Sequence, residues 1–288
     1  MSDHTSRDDG PELEALLASL SGDERLLLRR LLLRWRQRPL AHGQPFDEPG
    51  LFHQILKTDP RFPEMPQTPI PGSLLEPWCT QLPDADPVAL PEPSHTLNMT
   101  LSEVLQERTS RQQYTGEPLT LTALSTFLYQ SYGVHDFVSA YTMARFPRRM
   151  APSSGGLQAV LLGLIVNQVS GLEPGLYVYD ALAHTLRPLL KKAMKEYLAR
   201  CSPLPFVRDA PLVCAFVGDL NRLRWKYGAR AYRAIHLDSG VLLQNMYLVG
   251  TALELHTCAI SAYYDDLVNA LLGLDGTTAF TLLLFTLG

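Results

Sequence analysis

The feature that most limits how this chain can fold is the distribution of its prolines, because residues 39–93 hold 13 of the 22. Each proline fixes its own φ and removes a backbone donor, so a segment this dense cannot be a run of helices or central strands. An extended arm is expected there. Phe46, Phe52, Phe62, Leu74 and Trp78 recur through it as apolar anchors that a disordered linker would not need, so the arm is expected to wrap over a folded body. A short helix is expected near Leu51–Gln54, where His53 reads as structural.

Before the arm, Leu13, Leu16, Leu17 and Leu20 repeat at helical spacing, and Ser21-Gly-Asp-Glu24 has the form of a capping box opening a second helix. Leu28, Leu31, Leu32 and Trp35 stripe that second helix, with Arg25, Arg29, Arg30 and Arg34 around them. Two readings stay open: an amphipathic pair packed on the body, or a docking surface for a partner. Residues 1–95 are thus expected to form a helical pair and a proline-rich arm, and residues 96–288 a separate domain.

From Thr96 the pattern becomes regular. Helices are expected at Leu101–Glu107 and around Leu121, Leu124, Phe127 and Leu128, the latter closing at Gly133 in a left-handed turn. Strands are expected at 159–167, 176–180 paired with 185–188, 212–217, 256–260 and 279–287. A helix over Asp238–Leu255, capped by Asp238, is apolar on nearly every side except around Gln244 and Asn245, which predicts burial in a core or a subunit interface. Helices mixed irregularly with hairpins predict an α+β domain with an antiparallel sheet.

Composition excludes several functions. A net charge of -4 offers no basic excess for nucleic acid. No apolar run reaches the ~18 residues a membrane span needs, and the polar first ten residues do not form a signal peptide, so a soluble cytoplasmic protein is expected. Cys79, Cys201, Cys214 and Cys258 form no C-x-x-C pair and the eight histidines no ligand spacing, so neither a metal nor a disulfide framework is expected; Cys214 and Cys258 read as buried thiols.

No dinucleotide fingerprint, phosphate-binding glycine loop or Gly-x-Ser-x-Gly is present. Three weaker stretches remain. Arg108-Thr109-Ser110-Arg111-Gln112-Gln113-Tyr114 is either a solvated basic turn or a phosphate-holding cluster of cations and hydroxyls. Pro152-Ser153-Ser154-Gly155-Gly156, preceded by Arg148-Arg149, either makes a tight turn or lets backbone approach a ligand closely. Arg222 to Arg233, containing Arg224, Trp225, Lys226, Tyr227 and Arg230, is a charged loop or a set of proton-donating groups.

The order of these stretches resembles the nitroreductase superfamily, and within it the SagB-type thiazole- and oxazole-forming dehydrogenases. An R-x-S-x-[RK]-x-[FY] element before a helix ending in Tyr-Gly is matched by Arg108, Ser110, Tyr114 and Tyr132-Gly133. P-S-x-G-G precedes a strand, a P-G-L-Y-x-Y-D hairpin follows as Pro174 to Asp180, and K-Y-G-x-R-x-Y-R leads to L-D-x-G as Lys226 to Arg233 and Leu237 to Gly240. The resemblance covers residues 96–288. Two positions depart from it: Gln112 stands where relatives carry Arg or Lys, and Ser261-Ala262-Tyr263 replaces a glycine pair before an aromatic.

That resemblance implies a nitroreductase-like fold and a homodimer with an FMN at each end of the interface. By position, Arg108, Thr109, Ser110 and Gln112 would hold the phosphate and flavin edge. Pro152, Ser153, Ser154, Gly155 and Gly156 would meet the isoalloxazine from the partner chain, and Ser261 and Ala262 would belong to the cofactor site. It implies oxidation of thiazoline or oxazoline rings in a peptide or carrier-bound substrate, with cyclodehydratase proteins as partners and Lys226 and Tyr227 as the catalytic pair. For Lys226 to be a base near neutrality, burial or Arg224, Arg230 and Arg233 would have to bring its pKa from ~10.4 to about 7. A nicotinamide-dependent nitro or flavin reductase, and a flavin-free scaffold in a modifying complex, are the competing readings.

Overall fold

A computed structural model of the chain describes residues 86–288 together with Ala18. The chain divides into two compact units, Met1–Glu64 and Met65–Gly288, and the fold described here belongs to the second. The helix pair expected over residues 11–38, the arginine stripe, Cys79 and most of the proline-rich arm lie outside the described residues. The arm's last residues are extended: Val88–Ala89 (β1) add a short edge strand, flanked by Pro87 and Pro91 where missing donors cost least.

The body is built on a seven-stranded sheet of order β1-β8-β7-β5-β9-β11-β10, every neighbouring pair antiparallel. Its centre is β5 (Val160–Val166) and β9 (Leu212–Asp219), flanked by the hairpin β7 (Gly175–Asp180) and β8 (Thr185–Lys191) on one side. On the other side lie β11 (Ala279–Leu287) and β10 (Thr257–Ile260). These match the expected strands to within a few residues.

Successive side chains on a strand point to opposite faces, and both faces here are covered. Val160, Leu162 and Leu164 of β5 join Cys214 and Phe216 of β9 on one face, beneath α2 (Leu121–Tyr132) and α6 (Ala231–Ala252). Leu161 and Ile165 join Val213, Ala215 and Val217 on the other, against α3 (Lys195–Cys201), α4 (Pro205–Asp209) and α7 (Asp265–Leu272). Two-sided cover explains why the central strands read as unbroken apolar runs. It also makes Cys214 and Cys258 buried thiols, as expected. α1 (Leu101–Glu107) opens on a Thr100–Glu103 capping box. No helix among the described residues is long and apolar enough to cross a membrane.

Three details differ from expectation. Gly133 closes α2 without a left-handed turn, at φ -62 and ψ 164. Glycine is needed there because a Cβ would lie within 3 Å of the Tyr129 side chain and carbonyl. The run 222–233 is not a loop: α5 (Asn221–Tyr227) and a short 3-10 turn lead straight into α6, which starts at Ala231, so Asp238 lies inside the helix and caps nothing. Finally, residues 134–149 form an unforeseen hairpin, β3 (Val134–Ala140) with β4 (Met143–Arg149), joined to neither edge of the large sheet. A two-stranded parallel pairing of β2 (Leu119–Thr120) with β6 (Val169–Ser170) completes the domain.

Candidate active site

The sheet register sorts the three sequence stretches into two groups. Asp219 ends β9, its N–H donates to Ala159 O at 2.9 Å, and α5 follows at once. The Pro152–Gly156 turn and the Lys226-Tyr227 pair therefore meet at one end of the central strands. Gly155 is their point of contact. A Cβ there would lie 2.7 Å from the Tyr227 hydroxyl, 2.9 Å from Lys226 Nζ and 2.7 Å from the Tyr141 hydroxyl. Gly155 and Gly156 have φ of 61° and 71°, a region closed to most side chains, so the turn keeps its surface clear.

Asp238 fixes this turn from below. Both carboxylate oxygens accept from Ser154 N–H at 2.9 Å, and Oδ1 also accepts from the Ser154 hydroxyl at 2.8 Å. Burial raises the Asp238 pKa above the ordinary carboxylate value, against the opposing pull of the Ser154 bonds. Ser153 Oγ accepts from Gln158 N–H, closing the far side of the turn. Above it, the β3–β4 hairpin and the Pro152–Gly156 turn enclose a cavity of about 520 Å³, lined among others by His135, Tyr141, Phe146, Arg149 and Gly155.

Lys226 does not meet the expectation of a lowered pKa. Its ammonium donates to the Tyr141 hydroxyl at 2.7 Å, and this bond raises the pKa above the ordinary lysine value more than partial burial lowers it. Tyr227 adds a smaller effect in the same direction, and neither burial nor the neighbouring arginines reverse the sign. In this state the amine holds its proton.

The second group gathers around β10. Arg108 lies after α1 with its guanidinium 5.4 Å from the centre of the Tyr247 ring, and no carboxylate among the described residues pairs with it. Ser110 Oγ is 3.0 Å from the Tyr247 hydroxyl, which accepts from Ala259 N–H at 2.7 Å. Tyr247 thus ties the Arg108 stretch to β10, and nothing in the sequence marked it beyond a place on a buried helix. Among the described residues Gln112 makes only a long contact, 3.9 Å, to Cys258 Sγ. Arg111 does not replace the missing base at that position, since its guanidinium is bonded to His256 Nε2 at 3.0 Å. Thr109 faces an open cleft shared with Glu103, Glu107 and Glu254. Ser261 and Ala262 follow β10 as exposed residues, and Ala262 O accepts from Ser202 Oγ at 2.7 Å.

The two groups are distinct within one chain. Asp238 and Tyr247 are nine residues apart on α6, hence about 14 Å along its axis and on opposite sides of it. The Arg108 group also lies at the Leu287–Leu212 end of the sheet, opposite the Gly155 group.

The model of the Nitroreductase family matches residues 105–288. The chain belongs to that family, whose members are flavin-type oxidoreductases. It is 32% identical over 173 residues to a candidate nitroreductase of Methanocaldococcus jannaschii, covering 60% of this chain and 83% of that protein. Among solved structures, a candidate nitroreductase from Anabaena variabilis superposes with a TM-score of 0.58 at 25% identity. That match covers 82% of this chain, which spans only 45% of the Anabaena chain. The Escherichia coli microcin synthetase McbBCD complex, solved with truncated pro-MccB17 bound, shares the fold at a TM-score of 0.53 and 16% identity, over 100% of this chain and 98% of that one.

Taken separately, the two groups suit the two parts of a cofactor with an anionic tail and a flat ring. Arg108 and the Ser110 hydroxyl supply charge and a donor, and the Gly155-Gly156 surface lets a planar group approach backbone.

Proposed function

We propose that this chain is an FMN-dependent dehydrogenase that oxidises thiazoline or oxazoline rings to thiazoles or oxazoles. The observation that carries this reading is the convergence of Lys226 and Tyr227 on Gly155 of the Pro-Ser-Ser-Gly-Gly turn, which joins two sequence elements 70 residues apart. Arg108 and Ser110 would hold the FMN phosphate, and Gln112, Ser261 and Ala262 would border the flavin. Bound FMN supplies the two-electron acceptor for the hydride that leaves the ring.

The chain's own residues handle the remaining proton. Lys226 and Tyr227 stand beside the turn that would face the flavin, so the proton that leaves the ring as the hydride departs would have a receiver beside the site. Lys226 must first give up the proton it holds at rest. Covering the site with substrate and flavin deepens its burial, which pushes an amine in that direction.

Because the Arg108 group and the Gly155 group lie apart within one chain, a cofactor touching both takes one of them from a second copy. The stripe Leu237, Val241, Gln244 and Leu248 on α6 supports a homodimer: Leu237 is 64% and Val241 40% exposed in the single chain. The match to a synthetase complex is compatible with cyclodehydratase partners and with a peptide substrate.

The test is conversion of a synthetic peptide carrying one thiazoline, read as a mass loss of two hydrogens. Wild type is expected to aromatise it, and Lys226→Ala to retain FMN while losing turnover by a factor of about 100 or more, as for a lost general base. Undiminished turnover in Lys226→Ala removes the pair from the mechanism. Rapid bleaching of bound flavin by NADH or NADPH, without azole formation, would instead favour a nitro or flavin reductase.

A further inference from the structure

We propose that Tyr141, at the tip of the β3–β4 hairpin, is a positioning residue that holds Lys226 against the Gly155 turn. This rests on the reading of Lys226 as the group that takes the ring proton. The sequence offered no sign of it, because the tip of the hairpin lies outside all three stretches singled out in the sequence.

The argument begins with the turn. Ala140 pairs with Met143, so Tyr141 and Thr142 are the two residues of a tight hairpin connection, and both are left-handed at φ of 51° and 63°. Such turns match the twist of the flanking strands and ordinarily use Asn-Gly or Gly-Gly; placing a tyrosine there costs backbone energy. The ring is then held on two sides. It meets Phe146 edge-on at 5.1 Å and Trp225 at 5.7 Å, and Trp225 is fixed in turn through its indole N–H to Arg222 O at 2.9 Å. Trp225 immediately precedes Lys226, so the hairpin tip and the helix bearing the amine are packed as one unit.

The hydroxyl that results is fully committed. It donates its one proton to Gly155 O at 2.6 Å, leaving only lone pairs toward Lys226, whose ammonium donates to it at 2.7 Å. Tyr141 therefore fixes Lys226 as a donor and sets its distance from the turn in one step. The groups facing the amine are Tyr141 from the hairpin, Tyr227 from its own helix and the Gly155 backbone. Tyr141 also lines the cavity beside Pro152–Gly156, so a substrate ring entering there would lie against the same side chain.

Tyr141→Phe keeps the ring that packs on Trp225 and Phe146 and removes only the oxygen. The chain has five lysines, so ¹³C-lysine NMR of the FMN-loaded protein can follow Lys226 directly, with Lys226→Arg assigning its resonance. Losing a bond to a charged group is expected to lower the Lys226 titration midpoint, move the rising limb of the pH–rate profile to lower pH, and reduce the plateau rate about 10- to 100-fold. FMN content and melting temperature are expected to stay near wild type. A Lys226 midpoint and a rising limb at their wild-type positions in Tyr141→Phe, with Lys226→Ala inactive, overturn the role of Tyr141 alone. Full activity in Lys226→Ala overturns the underlying reading instead.

Discussion

Removing the Asp238 carboxylate tests whether the ligand-facing turn is held from within the fold. Asp238 is 8% exposed and accepts from two Ser154 donors, the backbone N–H and the hydroxyl. Bonds to an ionised acceptor contribute about 1.5–3 kcal/mol each, and returning the carboxylate to water recovers part of that. Asp238→Ala is therefore expected to cost about 3 kcal/mol, which lowers the melting temperature of a domain this size by about 6–12 °C. Ser154→Ala deletes only the hydroxyl bond and is expected to cost about half as much. The double variant should then be less destabilised than the sum of the two, by about 1.5 kcal/mol. The sign with pH follows from the raised Asp238 pKa: the folded protein binds that proton more tightly than the unfolded chain. The contribution is full below the ordinary carboxylate pKa of ~3.9 and is lost as pH rises through the higher folded value. Wild type should lose ground to Asp238→Asn across that window, measured by denaturant unfolding at stepped pH. Strict additivity of Ser154→Ala and Asp238→Ala would refute the bond as an energetic link, whatever its geometry.

Gly155→Ala and Gly156→Ala should separate strain from function. Both force alanine into a left-handed conformation at about 1–2 kcal/mol, but only the Gly155 methyl strikes Lys226, Tyr227 and Tyr141, while at Gly156 it meets Phe146 at 3.4 Å. Similar melting temperatures with a turnover at least about tenfold lower in Gly155→Ala are expected on the thiazoline peptide; equal turnover would detach Lys226 from the turn. Leu237→Glu leaves the single chain's core untouched and tests the dimer. Two symmetric copies of a lost leucine contact at about 1.5–3 kcal/mol each should weaken association by a factor of about 10² to 10⁴ and release FMN, seen by light scattering and absorbance. A stable, yellow, dimeric Leu237→Glu protein would place the interface elsewhere.

What the sequence disclosed and what it hid follow from the range of the interactions involved. The strands were legible because β5 and β9 are buried on both faces and read as apolar runs, and α2 because Leu124, Phe127 and Leu128 repeat at helical spacing. The β3–β4 hairpin was not: its turn is Tyr-Thr where a glycine is the usual signal, Pro147 interrupts β4, and neither strand alternates because most of the hairpin is solvent-facing. The charged run at 222–233 resembled a loop for a related reason. The buried apolar residues of its helix, Leu223 and Trp225, are too few to show a period, and its helical state is set by packing against the hairpin and the sheet. Asp238 was misplaced because a carboxylate ahead of an apolar stretch has the form of a cap, and only the 84-residue link to Ser154 reveals its work. The family pattern therefore pointed to short runs, each contiguous in sequence, to which the proposal assigns the cofactor. Tyr141, Asp238 and Tyr247, which hold those residues in place, act across long separations and came into view only once the chain was folded.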